Sequence, residues 1–233
     1  MFEAGAWGLF AASSLVLGAL FSFTGWIRDR PLRLVTAFGS GVLISAVAYD
    51  LVEEAVLKSA TGASVAAGFV VGAMVFYGLS TFVEARTSGS SRATGILLGA
   101  ALDGIPESVV LGVSLLTGGG VSVAVLAAVF ISNLPEGLSS STGLTAAGHG
   151  RGQIMAAWLI VVLISSLVAA ISYQALGGAG GDVIAFMEAF AAGAILTMLA
   201  DDMIPSAYVA GDKLPGLATA AGFALAALLS FST

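Results

Sequence analysis

Eight apolar stretches succeed one another along the chain: Trp7 to Ile27, Leu34 to Leu57, Gly62 to Phe82, Ala93 to Thr117, Val121 to Ala147, Gln153 to Leu176, Val183 to Val209 and Leu214 to Phe231. Short polar or Gly/Pro-containing breaks separate them, among them Arg28-Asp29-Arg30-Pro31, Glu84 to Arg92 and Gly118-Gly119-Gly120. Each stretch is close to the roughly 20 residues a helix needs to cross the hydrocarbon core of a bilayer. The pattern predicts an all-α fold, a polytopic membrane bundle of eight transmembrane helices, with residues 1–233 forming a single transmembrane domain. The first stretch has no basic segment ahead of it and leads into further spans, so it reads as the first helix and not as a signal peptide.

Composition narrows the class. Hydrophobic residues make up 58% of the chain and charged ones 9%, against roughly 25% charged in soluble domains, which excludes an ordinary cytosolic protein. A net charge of −6, with eight scattered Lys and Arg, excludes a nucleic-acid binder, which needs a basic face. The absence of cysteine removes disulfides and thiolate ligands from consideration. Charge also orients the bundle. Arg28, Arg30, Arg33, Arg86, Arg92, Arg151 and Lys213 fall on one side of an eight-span layout and only Lys58 on the other. Cytoplasmic loops carry the positive excess, so both termini are expected outside, in a plasma (inner) membrane. The 31 glycines suit close helix packing in lipid.

The chemistry lies in acids placed within the spans: Asp50, Asp103, Glu107, Glu136, Glu188, Asp201 and Asp202, with Glu53 and Glu54 near a helix end. No Lys, Arg or His sits in a predicted span to neutralise them. A charge at membrane depth costs on the order of 3 kcal/mol, and such residues usually line ion paths. Either cations neutralise this row or the acids carry protons and hydrogen-bond between helices. The centre of the pattern is Leu102-Asp103-Gly104-Ile105-Pro106-Glu107 in the fourth span and Ile131-Ser132-Asn133-Leu134-Pro135-Glu136-Gly137 in the fifth. Spacing of i and i+4 puts Asp103 with Glu107, and Ser132 with Glu136, on one helix face. Each proline removes a backbone N–H and frees the carbonyl of Leu102 or Ile131 to face a cavity, although one proline alone would read as a packing kink. By depth, Asp50, Glu53 and Glu54 mark an outer entrance, the four central residues a midpoint, and Asp201 and Asp202 an inner exit. Solvated helix ends are the plainer alternative at both extremes.

These residues resemble the ZIP (Zrt/Irt-like) family of divalent metal transporters, whose fourth and fifth helices carry His-Asn-x-Pro-Glu-Gly and His-Glu-x-Pro-Glu-Gly-like motifs. Two further segments are similar. Gly39-Ser40-Gly41-Val42-Leu43 through Asp50-Leu51-Val52-Glu53-Glu54-Ala55 resembles the family's Gly-Val-Leu…Leu-Leu-Pro-Glu-Ala, and Phe190-Ala191-Ala192-Gly193-Ala194 through Asp201-Asp202-Met203-Ile204-Pro205 its Phe-Ala-Ala-Gly…Glu-Leu-Ile-Pro. The resemblance implies a main transport site at Asp103, Glu107, Ser132 and Glu136, with Gly104 and Asn133 in the places of a second site, and Asp50, Asp201 and Asp202 along the route. It also implies a permease that carries divalent cations of the zinc, manganese, iron or cadmium class into the cytoplasm by alternating access. The metal is cargo and not a cofactor, and a homodimer is a possible assembly.

The chain departs from the family pattern where Asp103 replaces histidine, Ser132 a stronger ligand, Gly104 any side chain, and Ala169 a bridging helix-six glutamate. One ion at a time then fits better than a binuclear centre. Oxygen donors favour harder ions such as Mn²⁺, Mg²⁺ or Ca²⁺, whereas imidazole favours Zn²⁺. The single histidine, His149, falls in a loop. Two other readings stand beside this one: a divergent member that moves another cation or senses a metal, and an intramembrane enzyme using paired carboxylates. No nucleophile or His-based metal motif accompanies the carboxylates, so the chain is not read as an enzyme.

Overall fold

The computed structural model describes the backbone of residues 1–25, 29–87, 92–117 and 120–231. The predicted end of the first span at Ile27, Arg28 and the Gly118-Gly119 break lie outside the described residues. Every regular element among those described is helical: α1 Phe2–Ser22, α2 Asp29–Lys58, α3 Ala63–Thr87, α4 Arg92–Ser114, α5 Val123–Ala146, α6 Arg151–Leu176, α7 Gly181–Ala207 and α8 Leu214–Ser230. Each overlaps one predicted apolar stretch, but α1 begins at Phe2, ahead of the expected Trp7, and ends at Ser22. The first seven contain stretches long and apolar enough to cross a membrane, while α8 has 17 residues. The outer surface agrees with a membrane protein. Leu163 is 61%, Leu167 59% and Leu228 69% exposed, an arrangement that water would penalise and lipid accepts.

Lipid gives no hydrophobic drive for helices to associate, so contact depends on backbones approaching closely. Glycines set these approaches at two crossings. Where α2 meets α8, a Cβ on Gly41 would lie 1.9 Å from the Thr219 carbonyl oxygen and one on Gly222 would lie 2.1 Å from that of Phe38. Where α3 meets α7, Gly72 and Gly193 stand in the same relation to Phe190 and Phe69, at 1.9 and 2.1 Å.

The two crossings belong to a repeat. α2 packs on α8 as α7 packs on α3, and α1 packs on α5 as α6 packs on α4. α1 and α6 run antiparallel: Ser166 Oγ donates to the Gly5 carbonyl at one end, and an Arg151 Nη donates to the Phe23 carbonyl at the other. α1–α3 and α6–α8 therefore form an inverted pair around α4 and α5, a design recurrent in secondary transporters. The repeat extends to backbone irregularity. α2 loosens into a π-helical stretch over Ala46–Glu53, α7 does so over Leu199–Met203, and a short α segment follows each. Both stretches carry acids, and π turns frequently mark functional positions.

The bundle has two chemically distinct ends. Arg30 pairs with Asp212 at 3.4 Å at the end that also bears Arg33, Arg151 and Lys213. At the opposite end Asp182 Oδ1, at the start of α7, accepts from the Ala60 N–H at 3.1 Å and from Ser59 and Ser64 Oγ at 3.2 Å, tying the α2–α3 loop to α7.

Candidate metal centre

α4 and α5 cross near the middle of the bundle and bring their acids together. Ser132 Oγ donates to Glu107 Oε1 at 3.2 Å, and Asn133 lies beside this carboxyl. Glu107, Ser132 and Asn133 are each 3% exposed or less. Pro106 and Pro135 sit inside their helices one residue before the glutamates, as the motif predicts. Beside this pair is a cavity of about 670 Å³ that opens at the arginine-bearing end, toward Arg33 and Glu84. Asp103, Glu136 and Asp202 line it, together with the hydroxyl-bearing Ser139, Ser140 and Ser206. Glu107 lies beyond these lining residues. Asp103 is within electrostatic reach of Glu107 and Asp202, and Glu136 of all three.

Two carboxylate oxygens here, Glu107 Oε2 and Glu136 Oε1, are buried without a hydrogen-bond partner. Buried polar atoms are nearly always satisfied, so a pair of orphaned acceptors within one acidic neighbourhood suits a cation. The donors are carboxylate, hydroxyl and amide oxygens, a hard set. Among the described residues no three His, Cys, Asp or Glu side chains stand close enough together to hold one ion. The acids form a file from the cavity inward, not a preassembled cage.

The second-site positions occupy a different setting from the one the resemblance implies. Asn133 lies buried beside Glu107. A Cβ on Gly104 would lie 3.3 Å from Ser165 Oγ, so α6 presents a serine to that position. Ala169, one turn along, packs instead against Gly8 and Gly112.

At the other end, Asp50, Glu53, Glu54 and Glu188 line a second cavity of about 420 Å³. Asp50 is engaged: its Oδ1 accepts from Ser122 Oγ at 2.9 Å and its Oδ2 from Ser230 Oγ at 2.7 Å. Ser122 also caps α5 by accepting from the Val125 N–H, so Asp50 joins α2 to α5 and α8. A buried apolar cluster that includes Val47, Leu111, Val129 and Ile195 lies between the two cavities, meeting the second at Val110 and Val125 and the first at Leu102 and Met198. Asp201 and Asp202 are both exposed, and of the two only Asp202 lines the first cavity.

One expectation is corrected. Glu188 is not left without a cation, because Lys58 Nζ donates both to its Oε1 and to Glu54 Oε2. Lys58 closes α2, but a lysine stem is long enough to carry the ammonium back along apolar surface. Ser122, Ser230, Arg33 and Glu84 also escaped prediction. Ser122 had a legible sign, a serine just before an apolar run, while the others depend on which helices become neighbours. No protein-family model matches this chain, and no curated protein matches it.

Proposed function

We propose that this chain is a ZIP-like permease that carries a divalent cation into the cytoplasm by alternating access, as an eight-span protein of the plasma (inner) membrane with both termini outside. The observation that carries this reading is the Glu107–Ser132 pair at the head of a cavity lined by Asp103, Glu136 and Asp202, with two carboxylate oxygens left unpartnered. The cation is cargo. It gains these oxygens in place of part of its hydration shell, and the absence of imidazole or thiolate keeps binding weak enough for release. The oxygen set favours Mn²⁺ and similar ions over Zn²⁺.

The cavity opens at the end that bears most of the positive charge, which the charge rule assigns to the cytoplasm. With the apolar cluster between the cavities, this corresponds to an inward-facing state. The opposite state requires the cluster to part near Val110 and Val125 while α4 and α5 move against the outer helices. Inverted repeats support such rocking, because each half has a counterpart of opposite orientation.

The test is uptake of Mn²⁺ into proteoliposomes. Glu107→Ala and Glu136→Ala each abolish uptake, with size-exclusion behaviour and helix content retained. Uptake at the unaltered rate in either variant overturns the assignment, and saturable binding without any uptake favours a metal sensor.

A further inference from the structure

Two carboxylates that line the outer cavity already hold a cation, and it belongs to the protein. Lys58 Nζ sits between two carboxylates, donating to Glu54 Oε2 at 2.7 Å and to Glu188 Oε1. The Glu188 side chain is 3% exposed and that of Lys58 23%. The second oxygen of Glu188, Oε2, is buried with no partner. Both glutamates line the cavity together with Asp50 and Glu53, while the ammonium touches only Glu54 and Glu188, so two carboxylates share one positive charge.

An ion pair kept only to hold helices together should satisfy its remaining lone pairs, since burial is otherwise costly. This pair does not. Its cationic half is also the mobile one, a compact ammonium on a flexible four-carbon stem, whereas the carboxylate half is fixed in the wall of α7. We propose that Glu54 and Glu188 form an outer site for a divalent cation, and that Lys58 occupies it as a tethered surrogate ion which an arriving cation displaces. A divalent ion brings twice the charge to the same carboxylates and can engage Glu188 Oε2, which the ammonium leaves unused. Displaced, Lys58 swings toward solvent and adds its positive charge to the rim. Each occupied site thereby becomes less attractive to a second ion, which limits entry to one at a time. The role of the site as an entrance rests on the proposed permease; its existence does not.

The chain has two lysines, Lys58 and Lys213, and Lys213 is exposed at the opposite end. This permits a test on the unaltered protein. The purified full chain in lipid nanodiscs is treated with a water-soluble amine-reactive reagent, with and without millimolar Mn²⁺, and modification is read at each lysine by peptide mass spectrometry. Mn²⁺ is expected to accelerate modification of Lys58 several-fold and leave Lys213 unchanged. In Glu188→Gln, Lys58 reacts quickly without metal and responds little to it. Equal modification of Lys58 with and without Mn²⁺ in the unaltered protein overturns the outer site, whether or not the chain transports metal. Repeating the labelling in the Glu107→Ala, Glu136→Ala double variant separates the two proposals. A persistent Mn²⁺ response there confirms an outer site independent of the central acids. A response that vanishes with those acids assigns the effect to movement driven from the centre and rejects the outer site.

Discussion

The unpartnered oxygens at the centre predict that a divalent cation stabilises this protein by an amount that can be bounded. Leaving a buried acceptor unsatisfied costs about 1–3 kcal/mol. With Glu107 Oε2 and Glu136 Oε1 both in that condition, on the order of 2–6 kcal/mol is recoverable by an ion that engages both. A ligand at a hundred times its dissociation constant stabilises the native state by about 2.7 kcal/mol, which lies within that range. For chains of this length about 1 kcal/mol moves the midpoint by about 2–4 °C, so near-saturating Mn²⁺ should raise it by about 5–11 °C. The assay is thermal unfolding in detergent, followed by circular dichroism. The Glu107→Gln, Glu136→Gln double variant is the control. Glutamine keeps the shape and removes the mutual repulsion, so this variant should unfold no lower than the unaltered protein in metal-free buffer and should lose most of the Mn²⁺ response. An unchanged midpoint with Mn²⁺, or an equal rise in the double variant, refutes the reasoning that these oxygens await a cation.

Two further outcomes follow from the geometry. Asp103 lines the inner cavity, so Asp103→His places an imidazole there with room to turn. The ratio of Zn²⁺ to Mn²⁺ transport should then rise about tenfold, the equivalent of about 1.4 kcal/mol, and a competition assay that finds the ratio unmoved would count against Asp103 as a ligand. Gly72→Ala drives a Cβ to 1.9 Å from the Phe190 carbonyl oxygen, whereas nothing lies within 4 Å of a Cβ at Gly78 on the same helix. Overpacking of this kind costs about 1–3 kcal/mol, so Gly72→Ala should lower the unfolding midpoint and Gly78→Ala should not; equal behaviour of the two would dismiss the α3–α7 contact.

The helices were legible because each span must be apolar along its full length, and that requirement leaves a run that no packing detail alters. α6 illustrates this: the predicted Gln153 to Leu176 lies inside the observed Arg151–Leu176. Spacing within one helix was also legible, and Asp103 with Glu107 follows from the i, i+4 rule. Relations between helices were less so. The row of acids was expected to be without internal cations, yet Lys58 reaches Glu188 across 130 residues of sequence. Asp50 was expected to be part of a route; that its two oxygens accept from Ser122 and Ser230 depends on which helices become neighbours. Sequence gives the depth of a side chain along its helix but not the direction in which it faces its neighbours. The π-helical stretches in α2 and α7 had no sign of their own either, since neither Ala46–Glu53 nor Leu199–Met203 contains a proline or glycine.

The repeat gives those two stretches a common meaning. α2 and α7 are counterparts of opposite direction, so the same irregularity, near the C-terminal end of each, lands at opposite ends of the bundle. At the outer end the acids are engaged, Asp50 by two hydroxyls and Glu54 and Glu188 by Lys58. At the inner end Asp202 borders an open cavity. Asp50, Glu54 and Glu188 in one half are thus bridged by internal partners while Asp202 in its counterpart borders solvent, and the proposed alternating cycle would exchange such unlike states of two like elements. On that reading the partners of Asp50 and Glu188 are not incidental packing. On the proposed cycle they are contacts that break in the outward-facing state, and loosening them should favour that state without touching Glu107 or Glu136.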